Sequence, residues 1–294
     1  MKNLIVNADD LGWTEGVNRG ILEAHRKGLV TSTSLLANGR AFDSAVGIAR
    51  GNPELGTGVH LNLSDGPPTA PAEKVRGLLN KNGRLNEAPE SLLMRMASRN
   101  LPYEEVELEW DAQIQKILAA GIAPSHVDGH KHVQMLPGLF EIALRLAKKY
   151  AIPAIRVSHE ESKLRAALTS GQEQSTSMLI KQGVQARGLK LLARDAREMA
   201  AHAAIATSDY FCGIAQTGVL TRNGVEQLLN NLPDGSTELM CHPGYADEDL
   251  RNTSTRLQES RQAELKILTD TAIRKLVAMR GIRLINFKLM AGMA

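Results

Sequence analysis

Residues 126–134 read HVDGHKHVQ, with three histidines and an aspartate inside seven positions. If the segment is extended, side chains alternate between its two faces. His126, Asp128, His130, His132 and Gln134 then share one face, and Val127, Gly129, Lys131 and Val133 the other. Imidazole is the commonest metal ligand and titrates nearest neutral pH, so such a face suits a metal centre or an acid–base site. Taken alone, it suits a solvated or internally hydrogen-bonded histidine cluster equally well. The same residue types recur in the Asp9–Asp10 pair, in His60 within TGVHLNL, and in His242 ahead of Pro243–Gly244. Singly, each has a plain structural reading: a turn for Asp9–Asp10 and for His242, a satisfied histidine for His60. What joins them is place, because each falls at the C-terminal edge of a stretch that reads as a strand.

One carboxylate and two imidazoles can hold a divalent cation while leaving positions open for water and substrate. A second carboxylate beside the cation can take a proton from that water. Asp10 and Asp9 can divide these roles, and a histidine on the opposite side can protonate a leaving group. This is a layout for hydrolysing an amide or ester. Cys241 and His242 do not form a thiol–imidazole pair, since neighbours on a strand point to opposite faces; Cys241 reads as core. The ten methionines are scattered and read as packing.

The elements that must position these groups follow from local pattern. Lys2–Asn7 reads as a buried strand, Thr14 as the cap of a helix to about Lys27 ended by Gly28, and Leu29–Ala37 as a second strand. A helix over Ala41–Arg50 precedes Pro53, and Thr57–Leu63 alternates as a third strand. Helices are predicted over Glu90–Ser98, Glu104–Ala120 and Pro137–Tyr150, with a short strand at Ala154–Val157. Thr237–Cys241 reads as a strand broken by HPGY, Leu257–Arg280 as one long helix, and Ile282–Phe287 as a final strand. Insertions are expected at about 65–88, rich in proline and glycine, and at about 160–205, helix-prone and charged. Alternating strands and helices predict an α/β fold with a parallel sheet, either an irregular TIM-like (β/α) barrel or an open doubly wound sheet. In both, the site lies at the C-terminal ends of the strands. No Gly-rich phosphate loop follows the first strand, which weakens a nucleotide-binding reading.

The chain has 294 residues, which suits one large α/β domain or two small ones. Hydrophobic residues make up 43% and aromatics only 3%, so the core must be largely aliphatic. With 35 basic against 32 acidic residues the charge is too balanced to argue for nucleic acid. Two cysteines make no disulfide framework, no segment approaches a membrane span, and the N-terminus lacks the apolar length of a signal peptide. A soluble cytoplasmic protein is the expectation.

NADDLG (7–12), TSTSLLANG (31–39), GVHLNLSDGPP (58–68), PSHVDGHKHVQMLP (124–137) and ELMCHPGY (238–245) resemble, in order, the motifs of the YdjC-like carbohydrate deacetylases, a family that includes chitooligosaccharide deacetylases. The resemblance runs from residue 3 to about 287 and treats 1–294 as one domain. It implies a (β/α) barrel related to the polysaccharide deacetylases and metal-dependent removal of an N-acetyl group from an amino sugar. By motif position it carries the metal ligands to Asp10, His60 and His130, the general base to Asp9, and the general acid to His242. Arg156, in AIRVS, falls where related deacetylases place an arginine near the base, to orient Asp9 or the substrate. His126, Asp128 and His132 are expected around the ligands or against substrate, and Trp13 near the mouth, stacked on a sugar or packed. Gln134 stands where family members often carry a further histidine. The ligand set suits zinc, whereas the resemblance points to magnesium. Length and the second insertion resemble the hopanoid-biosynthesis-associated branch, thought to act on N-acetylglucosaminyl lipids, with Ser175–Leu192 as a lining for the lipid or an ordinary helix face. Family members are often dimers, so a homodimer is among the implied assemblies. Two other readings use the same residues: another metal-dependent amidohydrolase or phosphoesterase, and a carbohydrate-binding protein without catalysis.

Overall fold

The computed structural model describes residues 1–85, 88–170, 192–253 and 255–293. β1 (Lys2–Leu11) is buried along nearly all its length. The α1 helix (Glu15–Lys27) begins at Thr14, whose hydroxyl accepts from the Val17 amide at 3.3 Å, and turns Val17, Ile21 and Ala24 to the core. Then come β2 (Ser32–Leu35), α2 (Phe42–Gly51), β3 (Gly56–Leu61), α3 (Pro89–Ala97), α4 (Tyr103–Ala119), β4 (Val127–Gly129), α5 (Leu139–Lys149) and α6 (Ser162–Leu168). Residues 192–202 form α7. The rest is β5 (Tyr210–Cys212), α8 (Arg222–Asn230), β6 (Gly235–Cys241), α9 (Glu248–Arg251), α10 (Glu259–Leu268), α11 (Thr271–Met279), β7 (Arg283–Leu284) and α12 (Phe287–Ala291).

Every strand pairing is parallel, in the order β4-β3-β2-β1-β6-β5, with β7 beside the start of β1. The fold is α/β and barrel-like, as expected, but among the described residues its strands do not close a barrel. Between β4 and β5 the pairing among the described residues continues through single parallel bridges, Val127–Ile155, Ala154–Ala206 and Glu160–Phe211. A parallel sheet needs cover on both faces. Leu4, Val6 and Ala8 belong to the large cluster shared with the helices. Ile5 points the other way and joins Ala154, Ile285, Phe287 and Met290 in a small apolar floor. Asp9 lies four residues further along the same face, roughly 13 Å above that floor.

Several expected elements differ. The histidine-rich segment is a strand only over β4; His130–Met135 is a 3-10 turn, with Lys131 and His132 at φ 56° and 58°. Strand alternation therefore does not place His132 or Gln134. Ala154–Val157 makes bridges, not a ladder. The long helix over 257–280 is two, α10 and α11, parted where Asp270 caps the second by accepting from Ala272 N at 2.7 Å. The final strand shrinks to two residues, and Phe287 opens a helix capped by the Asn286 side chain. β5 and α8 were not foreseen. The insertion at 65–88 carries two 3-10 turns, Ala72–Lys74 and Arg76–Leu78. The expected Ser175–Leu192 lining lies outside the described residues except for Leu192.

Candidate active site

Neighbours on a regular strand point to opposite faces, yet Asp9 and Asp10 both reach one site. The reason is a bulge. Ala8 pairs with Thr33 and Leu11 with Leu35, so three steps on β1 match two on β2. Asp10 takes φ 73°, uncommon for a non-glycine residue, and its carboxylate swings to the strand ends. There Oδ1 lies 3.1 Å from His130 Nδ1 and 3.5 Å from His60 Nε2. The two ring nitrogens are 3.3 Å apart. Oδ2 accepts from Arg261 Nη2 at 2.5 Å. Asp10, His60 and His130 are all buried.

These three atoms fit a cation. They lie within 4.8 Å of one another, and buried Oδ1 makes no hydrogen bond. His60 gives its other nitrogen, Nδ1, to Asp128 Oδ1 at 2.7 Å, which turns the Nε2 lone pair toward Asp10 and His130. Asp9, His60 and Asp128 form a second cluster of the same tightness, but Arg156 already occupies both carboxylates in it.

Arg156, fully buried, organises that second cluster. Nη1 and Nη2 each donate to Asp9 at 2.8 Å, a bidentate pair. Nη1 also lies 2.8 Å from Asp128 Oδ2, and Nε donates to Glu238 at 2.7 Å. Asn7 Nδ2 donates to Asp9 Oδ1 and Ser34 Oγ to Asp128 Oδ2. Burial pushes the Asp9 and Asp128 pKa values up, but Arg156 and His60 together outweigh it and hold both below the usual carboxylate range. Asp10 is held well below that range against burial by Arg261 and His130. Three firm carboxylates thus face two guanidiniums, one positive charge short. His60 registers the deficit: burial opposes its charge, yet Asp128 and Asp10 raise it to about 10. The field that draws a proton to His60 would equally draw a metal ion.

The other expected residues fall around this centre. His126 lies below it, its ring stacked on Phe287 at 3.9 Å, Nδ1 on Ser125 Oγ and Nε2 on Ser34 Oγ. His132 shares a hydrogen bond with Ser158 Oγ at 2.8 Å, and Gln134 Nε2 reaches the same oxygen at 3.5 Å. Gln134 folds back under the chain, with Oε1 2.5 Å from where a Cβ on Gly129 would sit. His242 is buried just past β6, its amide held by Glu264 and its Nδ1 without a partner. Burial lowers its pKa to about 4 despite Asp10 and Asp9, so the ring is neutral. Trp13 packs against His130, centroids 5.0 Å apart, and borders a cleft of about 460 Å³ with Asn38, Asp65, Asn80 and Arg84.

Sequence reasoning missed Arg261, Glu238, Ser34 and Asp65. Ser32 and Ser34 alternate in a strand that is wholly buried, a signal that one of its faces is polar inside the barrel. Glu238 is a carboxylate in a strand buried from Ser236 to Cys241, a signal that it needs a charged partner inside. Arg261 lies in a charged helix, ESRQAELK, where nothing local sets it apart.

Residues 3–279 match the model of a family described as YdjC-like protein. A carbohydrate deacetylase of Geobacillus stearothermophilus is 33% identical over 97% of this chain and 96% of its own length. One of Halalkalibacterium halodurans is 34% identical over 90% and 94%, and a chitooligosaccharide deacetylase of Escherichia fergusonii 32% over 96% of both. A crystal structure of an Enterococcus faecalis protein named for cellobiose-phosphate cleavage matches 98% of each chain at 29% identity and a TM-score of 0.76.

Proposed function

The chain belongs to the YdjC-like family and its relatives are carbohydrate deacetylases; from that premise we propose that it is a metal-dependent hydrolase removing the N-acetyl group from an N-acetylglucosamine-containing oligosaccharide or glycolipid. The observation that carries the reading is the unpartnered Asp10 Oδ1 between two converging imidazole nitrogens, beside a second carboxylate clamped by an arginine.

Asp10, His60 and His130 would hold the cation, with magnesium favoured by family membership and zinc by the ligand types. A divalent ion there supplies Lewis acidity to the acetyl carbonyl and to water. Asp9, fixed in orientation by Arg156 and Asn7, takes the proton of the attacking water. Oxygen adds to the acetyl carbon, the C–N bond breaks, and acetate and an amine are released. His242 delivers the proton that the leaving nitrogen needs. Because burial keeps this ring neutral, it donates only after taking up the proton that Asp9 removed from water, and the acid product loses water's second proton as acetate leaves. Trp13 offers its ring to the sugar at the entrance of the cleft. The lipid-linked substrate belongs to the branch suggested by length and the second insertion.

Acetate release from chitooligosaccharides and from an N-acetylglucosaminyl lipid, with metal removed and restored, tests the reading. Metal-dependent acetate is expected, and the better substrate identifies the branch. Asp10→Ala and His60→Ala should lose bound metal and acetate release together. Turnover of a phosphoester with no acetate from any N-acetyl sugar would instead make this a phosphoesterase, and sugar binding without acetate a lectin-like protein.

A further inference from the structure

We propose that Asp65 is a positioning residue: it holds His130 with Nδ1 turned to Asp10 and His60, and so ties retention of the cation to the loop that walls the cleft. The inference rests on the metal reading above.

His130 uses Nδ1 toward the proposed ion, so its outer nitrogen is Nε2. That atom is buried and makes no hydrogen bond. Asp65 Oδ2 lies 3.5 Å from it, and the same oxygen accepts from Lys131 Nζ at 2.9 Å. His60 displays the completed form of this arrangement, with Nε2 inward and Nδ1 on Asp128. Metal-binding imidazoles generally lean on such an outer carboxylate, which fixes the tautomer and raises ligand basicity. Asp65 is the corresponding group on the open side of the site.

Its position is built, not incidental. The Asp65 carbonyl accepts from Asn38 Nδ2 at 2.8 Å and Asn62 Nδ2 at 2.7 Å. Asn62 is in turn gripped by buried Gln113, which accepts from its amide at 2.9 Å and donates to its carbonyl at 2.8 Å. Gln113 also donates to Glu109, which accepts from the amides of Thr69 and Ala70 further along the loop. Buried polar groups satisfied in this way hold a backbone firmly. From the other side, the left-handed turn at Lys131 places its ammonium on the Asp65 carboxylate. Strain of this kind persists where surroundings impose it, and it clusters at functional sites. Asp65 also borders the cleft beside Trp13, so the residue that steadies a metal ligand is part of the wall that substrate would touch.

Calorimetric titration of Mg²⁺ and Zn²⁺ into the metal-free protein tests this without turnover. Asp65→Asn should weaken binding roughly ten- to hundredfold, with Asp65→Glu recovering part of the loss. Lys131→Met keeps the carboxylate but removes one of its supports, and should lose only a small share of what Asp65→Asn loses, as expected for a half-exposed ion pair. Wild-type affinity in Asp65→Asn overturns the proposal, as does an equal loss in Lys131→Met. Should the amide repack, Asp65→Ser gives the same comparison. Asp10→Ala serves as the separate control: a silent titration upholds the metal site, and wild-type binding there would sink the underlying reading whatever Asp65 does.

Discussion

Asp9 and Asp10 are adjacent in sequence but face different guanidiniums, and in the proposed mechanism that difference separates a base from a ligand. Asp9 has both oxygens on Arg156, so its orientation is fixed while its pKa stays low. Its basic form is therefore complete at neutral pH and is lost only below the usual carboxylate range. Asp9→Asn should keep metal affinity near wild type and lower kcat by about 10²–10⁴-fold, the range for general-base removal; full activity in this variant, measured by acetate release, would refute the assignment. The acid limit of activity should instead be set at His60. A proton and a cation compete for this ring, whose pKa lies near 10 without metal. Metal affinity should therefore rise steadily as pH is raised from 6 toward 10, with proton release on binding in weakly buffered titrations.

At the scale of elements, the sequence was most legible where one period governs. Thr14 and Gly28 bracket α1 as their types require, and the alternation of Val59, His60, Leu61 and Asn62 marks β3 correctly. Their place at strand ends grouped Asp9–Asp10, His60, the 126–134 stretch and His242 before any contact was known, and the family resemblance picked out Asp10, His60 and His130, whose side chains do converge. What stayed hidden depends on departures from periodicity. The β1 bulge that brings Asp10 round has no local signature, and the turn after Gly129 replaces the expected alternation because Lys131 and His132 adopt left-handed backbone. Arg261 comes from 251 residues away, a distance over which pattern carries nothing. Gly58 is a position beside the site where packing leaves no latitude: an added Cβ would sit 2.4 Å from the His126 ring, itself wedged against Phe287. Gly58→Ala should cost about 1–3 kcal/mol by overpacking, read from chemical denaturation, and in a double-mutant cycle with Phe287→Ala the combined loss should be less than the sum of the two single losses, because the shortened residue lets the ring drop.

For the molecule as a whole, the buried histidines set opposite pH trends. His126, His132 and His242 are held neutral chiefly by burial, with pKa values lowered to about 4, 3 and 4 from 6.5. Their contribution is complete above 6.5 and is lost as pH falls toward those values. His60 is raised, so its contribution is complete below 6.5 and is lost as pH climbs through about 10. Metal-free protein should accordingly show its highest Tm near pH 6.5, and saturating metal should flatten the alkaline side, because the cation replaces the proton on His60; a Tm still rising from pH 6.5 to 9 without metal would contradict this. The incomplete strand pairing between β4 and β5 has a kinetic counterpart. Arg156 is carried on a short buried segment held by four backbone hydrogen bonds, two to Val127 and two to Ala206, a shorter pairing than the one joining β1 and β6. The ionic contacts of its guanidinium to β1, β4 and β6 then act as the stitches of that seam. Opening of that seam would release Asp9 from its clamp, so amide exchange at 154–156 and loss of the proposed base should be two measures of one equilibrium.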